Sequence, residues 1–137
     1  MHAGPVGCGD ALKAVNNALL AVHILSTAEG LAILAKAGVN PKVALEVINA
    51  SSGRSNTSEN LIPQRVLTRE FPRTFRLALL DKDIGIASVL ADDLSATTPM
   101  ISLAADRFHE AREMLGDQVD HVEAVKIVEA ENRIELK

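Results

Sequence analysis

The pattern Gly7-x-Gly9-x-x-x-Lys13-x-x-Asn16-Asn17 sets a lysine and two amides just beyond a pair of glycines. Glycines ahead of a helix, such as Gly7 and Gly9, let a ligand approach the backbone closely, and the free amides of a helix start attract anionic groups. Lys13 and Asn17 are four apart, so on a helix they face the same side, one turn above each other. A lysine at the positive end of a helix and inside a cleft is pushed toward its neutral form, which suits a proton shuttle. Spacing alone gives more weight to a plainer meaning, an exposed lysine and two asparagines near a helix start.

Other candidate residues weigh less. Cys8 lies in the glycine-rich stretch with no base at helical spacing, so it reads as a small residue rather than a nucleophile. His109-Glu110 and Asp117-x-x-Asp120-His121-x-Glu123 contain metal-ligand types, but their positions suit a helix end and a capping box, and no metal is expected. Arg65, Arg69 and Arg73 read as a solvated basic face, with Arg54 a somewhat better anion candidate. Lys82-Asp83, read alone, is a solvated charge pair.

The chain that must position these residues has 137 residues, the size of one domain, and is 47% hydrophobic. With three Phe and no Trp or Tyr, its core must be built from aliphatic side chains, which suits closely packed helices. Fourteen basic against eighteen acidic residues give a net charge of −4, which argues against a nucleic-acid partner. A single cysteine fits a reducing compartment. Met1-His2-Ala3-Gly4-Pro5 lacks the features of a secretory signal. The most apolar stretch, Ala18 to Leu25, is too short to span a bilayer. A cytoplasmic chain without membrane contact is therefore expected.

Residues 1–9 read as a glycine-rich entry loop. A long helix is expected from Asp10, its capping residue, to Ala37, with Gly38 ending it, a rod of about 42 Å. Lys13, Asn16, Asn17, His23 and Thr27 form a polar stripe on this otherwise apolar helix, so the rest of its circumference is expected to be buried. Asn40-Pro41 opens a second helix running to about Asn49, and a short helix from Thr57 is interrupted by Pro63. A further helix from about Thr74 to Leu94 would put Phe75 and Lys82 on one face and carry Leu77, Leu80, Ile84, Ala87, Ala91 and Leu94 along another. Thr98-Pro99 starts the next helix, ending at Gly116, and Asp120 caps a last one to about Ala130, after which the charged end frays. The fold expected is all-α, about six helices around one long N-terminal helix.

Several of these segments, taken in order, resemble the β-hydroxyacid dehydrogenase family, whose members include 3-hydroxyisobutyrate dehydrogenase and tartronate semialdehyde reductase. The resemblance is carried by Gly4-Pro5-Val6-Gly7-Cys8-Gly9-Asp10-Ala11-Leu12-Lys13-Ala14-Val15-Asn16-Asn17, by Ser51-Ser52-Gly53-Arg54-Ser55, by the stretch Phe75 to Ala87 with its Phe-x-Leu-x-Leu-x-x-Lys-Asp pattern, and by Pro99-Met100. One departure is Thr74, where the family often has glycine before the phenylalanine.

The resemblance implies a fold like the C-terminal half of 6-phosphogluconate dehydrogenase, Lys13 as catalytic acid/base, and Asn17 and Gly9 on the substrate side. It places Lys82 and Phe75 at an NAD or NADP cofactor. Residues 1–9 would be an interdomain loop and 10–137 the substrate and dimerisation half. With no Gly-x-Gly-x-x-Gly after a strand, the N-terminal dinucleotide-binding domain is expected to be absent, leaving this piece folded but inactive. A small 3-hydroxy acid substrate and a homo-oligomer follow from the same resemblance. A non-catalytic helical dimerisation or interaction module is the alternative. A 6-phosphogluconate dehydrogenase is a weaker one, because its relatives usually carry histidine where Asn16 stands.

Overall fold

The computed structural model describes residues 6–137. Five α-helices, α1 (Cys8–Lys36), α2 (Pro41–Asn49), α3 (Leu77–Asp93), α4 (Pro99–Leu115) and α5 (Val125–Asn132), are joined by a π-helix at Thr57–Val66 and a 3-10 turn at His121–Ala124. Among the described residues there is no strand, only one isolated antiparallel bridge between Arg76 and Asp120. The all-α architecture expected from the sequence is the one observed.

Helix α1 is the spine, about 44 Å long by its residue count. It touches every other element. Its inward positions are largely small, Ala14, Ala18, Ala21, Ala28 and Ala32, with Ile24 and Leu31 between them. Alanines on this face let neighbouring helix axes approach closely, and the larger side chains Leu80, Ile84, Phe108, Ile127 and Val128 fill the space across from it. Truncating Phe108, which is wholly buried, to alanine would cost about 3–5 kcal/mol. By length and composition alone α1 is long and apolar enough to cross a membrane, a test that the core helix of a globular fold also passes.

Its ends show which local signals prevailed. The helix begins at Cys8, because Gly7 takes a left-handed φ of 96° and its carbonyl already accepts the Ala11 N–H at 3.1 Å. The loop expected to reach residue 9 therefore ends earlier; its residues 1–5 lie outside the described residues. Asp10 is not the cap but sits in the first turn, where its charge still favours the helix dipole. At the other end Gly38 is left-handed, and Val39 N–H returns to the Leu34 carbonyl at 2.9 Å, a Schellman closure. Asn40 caps α2 by accepting the Lys42 N–H, with Pro41 at the first position. Outward, α1 is barer than expected, with Leu12, Val15, Leu19 and Ile33 exposed.

Four further expectations are corrected. Pro63 does not interrupt its helix. The segment widens to π geometry, closing with Leu67 N–H to the Ile62 carbonyl, and the wider turn relieves the clash a proline ring makes in an α-helix. Helix α3 starts at Leu77 rather than Thr74, since Asp120 captures the backbone ahead of it, and Leu94 falls beyond its end and is exposed. Arg65 and Arg69 are not a solvated face: Arg65 lies 3.5 Å from Asp120, and Arg69 makes a two-pronged bond to Glu129. The C-terminal end does not fray. Leu136 is wholly buried, its N–H donates to Glu129 at 2.8 Å, and its carbonyl accepts from Arg69 at 3.2 Å.

Asp120 closes the fold around the start of α3. It is fully buried and caps the 3-10 turn through Val122 N–H, with Glu123 returning the capping-box bond. Burial alone would push its carboxyl up. Hydrogen bonds from His121 and from the Thr74 and Phe75 amides, with the His121 charge, outweigh that and hold it well below the usual carboxylate range. A depressed carboxyl contributes stability that is complete above its unfolded pKa of about 3.9 and is lost as pH falls below it. Asp120→Asn should therefore cost about 2–4 kcal/mol at neutral pH. The gap in Tm between wild type and variant should narrow as the melt is moved below about pH 3.9. A gap that stays constant into acid would contradict this role.

Candidate active site

Lys13 and Asn17 emerge from successive turns of α1 toward α3. There both meet one carboxylate. Asn17 Nδ2 donates to Asp83 Oδ2 at 2.8 Å, and Lys13 Nζ lies 3.4 Å from the same oxygen. The Asp83 side chain is only 8% exposed, whereas that of Lys13 is 69% exposed. A buried carboxylate thus carries an open lysine at its rim. The orientation of the Asn17 amide follows, because a carboxylate can only accept and the amide nitrogen must face it. Asn16 Nδ2 reaches back to Asn17 Oδ1 at 3.5 Å, at the outer limit of a hydrogen bond.

Asp83, which read alone with Lys82 is half of a solvated charge pair, is instead buried. It sits on the inward face of α3, with Leu80, Ile84 and Ala87 around it in the buried row. A carboxylate buried there needs partners, and α1 supplies both. The signal that could have found it is its position three residues after Leu80 and four before Ala87, in register with the apolar face of its helix.

The remaining candidates are distributed as follows. Gly9 is in the first turn of α1, four residues before Lys13, exposed, with open space where a side chain would stand. Lys82 is exposed and lines a shallow groove of about 530 Å³ along α3 with Gly85, Ile86, Val89, Leu90 and Asp93. Phe75 does not share a helical face with Lys82, because it lies in the bend ahead of α3. There it is half-buried against His121, ring centroids 5.4 Å apart. The departure at Thr74 has a structural use: its hydroxyl bonds to Asp120 at 3.1 Å and accepts from Arg65 at 2.6 Å, which fixes the backbone into Phe75.

Arg54 is exposed and lies 3.8 Å from Glu59. His109 faces Asp81 at 3.5 Å, Arg112 bridges Asp81 and Asp117, and Glu110 pairs with Arg107. Among the described residues no group of three or more His, Cys, Asp and Glu is arranged to hold a metal. Cys8 is free and half-buried.

An all-α domain with an open lysine over a buried carboxylate, and a second open lysine beside an apolar groove, can serve proton transfer next to an anionic dinucleotide. An accessible cation at Lys82 with bare apolar surface beyond it is a donor set that such a group can use. Residues 7–128 match the family described as NAD-binding of NADP-dependent 3-hydroxyisobutyrate dehydrogenase. The chain belongs to this NAD-binding family of hydroxyacid dehydrogenases.

It is 34% identical over 128 residues to 2-(hydroxymethyl)glutarate dehydrogenase of Eubacterium barkeri, covering 93% of this chain and 42% of that protein. It is 35% identical over 113 residues to 3-hydroxyisobutyrate dehydrogenase of Pseudomonas aeruginosa, covering 78% and 38% respectively. Among solved structures, Mycobacterium tuberculosis 3-hydroxyisobutyrate dehydrogenase with L-serine superposes with a TM-score of 0.84 at 26% identity, over 93% of this chain and 46% of that one. The chain thus spans less than half the length of these relatives.

Proposed function

We propose that this chain is the helical half of an NAD(P)-dependent oxidoreductase acting on a small 3-hydroxy acid or its semialdehyde, with Lys13 as the acid/base. The observation that carries the reading is the convergence of Lys13 and Asn17 on buried Asp83. Bound NAD(P) supplies the acceptor or donor for hydride at the substrate carbon. Lys13 takes the proton of the substrate hydroxyl in oxidation and returns it to the carbonyl oxygen in reduction. Asp83, fixed by burial, holds the ammonium in place once the proton has arrived. Asn17 donates one amide hydrogen to Asp83 and keeps its second for a substrate oxygen, and the open space at Gly9 admits the substrate alongside. Lys82 meets a cofactor anion and Phe75 lines that side of the cleft.

In this reading a dinucleotide-binding domain precedes the helical half in a cytoplasmic enzyme, and the 137-residue piece alone turns nothing over. The fraction of the relatives' length covered supports a further domain, and their names support an oxidoreductase. The test is the full-length protein assayed against a panel of short β-hydroxyacids with both cofactors. Lys13→Ala should lower kcat by about 10²–10⁴-fold with little change in cofactor affinity. A near-normal kcat would overturn the assignment.

The bare row Leu12, Val15 and Leu19 on α1 supports association with a second copy. So does a groove of about 290 Å³ between α1 and α4, lined in part by Met100 and Leu103. Light scattering should report a dimer or larger assembly; a monomer at high concentration would contradict it.

A further inference from the structure

We propose that Asp120 and His121 form a clamp that positions the Phe75 ring for the cofactor, making His121 a positioning residue for cofactor binding. The proposal rests on the dehydrogenase reading of Lys13, Lys82 and Phe75. Lys82 stands on a regular helix and needs no outside support. Phe75 does not: it lies in the bend before α3, where no helical hydrogen bond fixes it.

Two consecutive residues take hold of it instead. Asp120 Oδ2 accepts the Phe75 N–H at 3.1 Å and the Thr74 N–H at 2.8 Å. The Phe75 carbonyl accepts the His121 N–H at 2.8 Å, and His121 Nδ1 lies 3.2 Å from the same carbonyl. Nδ1 is also 3.1 Å from Asp120 Oδ1. Both neighbours are acceptors, so Nδ1 carries the proton and donates. The imidazole then packs on the phenyl ring at an interplanar angle of 58°.

Backbone donor, backbone acceptor and ring plane of Phe75 are all set by this pair. Capping of the 3-10 turn uses Asp120 Oδ1, through the Val122 N–H. Oδ2 is left wholly to Thr74 and Phe75. Burying an acid and a histidine is a costly way to join two segments, and apolar residues would join them as well. What apolar residues would not supply is a fixed direction for the phenyl ring, which is itself only part-buried.

The test uses the full-length enzyme, with the cofactor dissociation constant from NAD(P)H fluorescence measured alongside kcat and KM. His121→Leu, which removes the Nδ1 donor, should raise both the dissociation constant and the cofactor KM about fivefold to tenfold, the worth of one aromatic contact. Its kcat should move little. His121→Asn, whose amide nitrogen replaces the donor, should recover most of the loss, and Phe75→Leu should reproduce it. A lowered Tm with unchanged cofactor affinity in His121→Leu or Phe75→Leu would make the clamp merely structural and overturn the proposal. Lys13→Ala separates the two ideas. Turnover in that variant defeats the dehydrogenase reading and the clamp's purpose with it, whereas loss of turnover beside normal cofactor affinity in His121→Leu defeats the clamp alone.

Discussion

A carboxylate inside a helical core must be paired or hydrogen-bonded, and Asp83 finds both kinds of partner on α1. That requirement ties α1 and α3 together at one height and in one rotation. If α3 slid by one residue, Asp83 would turn away from Lys13 and Asn17, and the apolar row of Leu80, Ile84 and Ala87 would turn with it. The alanine-rich face of α1 makes the approach possible, because larger side chains there would hold the helices apart. The site is therefore a by-product of the way the two central helices pack.

The same device recurs. Asp120 joins the start of α3 to the 3-10 turn and to Arg65, and Glu129 joins α5 to Arg69 and to the backbone of Leu136. In a chain with no Trp or Tyr and only three Phe, buried carboxylates do much of the long-range cross-linking that aromatic side chains provide in other cores. Each is held by backbone amides, an arginine or an amide side chain, so each fixes direction as well as distance. Two of the three, Asp83 and Asp120, touch residues assigned to the proposed chemistry.

This explains what could be read in the sequence. Helix boundaries set by local signals were legible: Gly38 with its left-handed turn, Asn40-Pro41, and the Asp120 capping box depend on neighbours a few residues away. Lys13 and Asn17 were legible as a pair because helical spacing alone puts them on one side. Asp83 was not, since its partners lie 66 residues off in the case of Asn17 and its own neighbour, Lys82, suggested a solvated pair. The helix expected from Thr74 failed for the same reason. Asp120, 46 residues away, takes the Thr74 amide, and local propensity gives no hint of that. The arginines at 65 and 69 and the buried Leu136 repeat the lesson, for their partners too are brought by the fold.

The central claim is that Lys13 and Asp83 act as one unit. Groups that act together lose function non-additively, so the most direct measurement is kcat for Lys13→Ala, Asp83→Ala and the double variant in the full-length enzyme. The account predicts that Asp83→Ala lowers kcat by about 10²-fold when Lys13 is present and changes it by less than about threefold when Lys13 is already alanine. Equal losses in the two backgrounds would show that the carboxylate works independently of the lysine, and would contradict it.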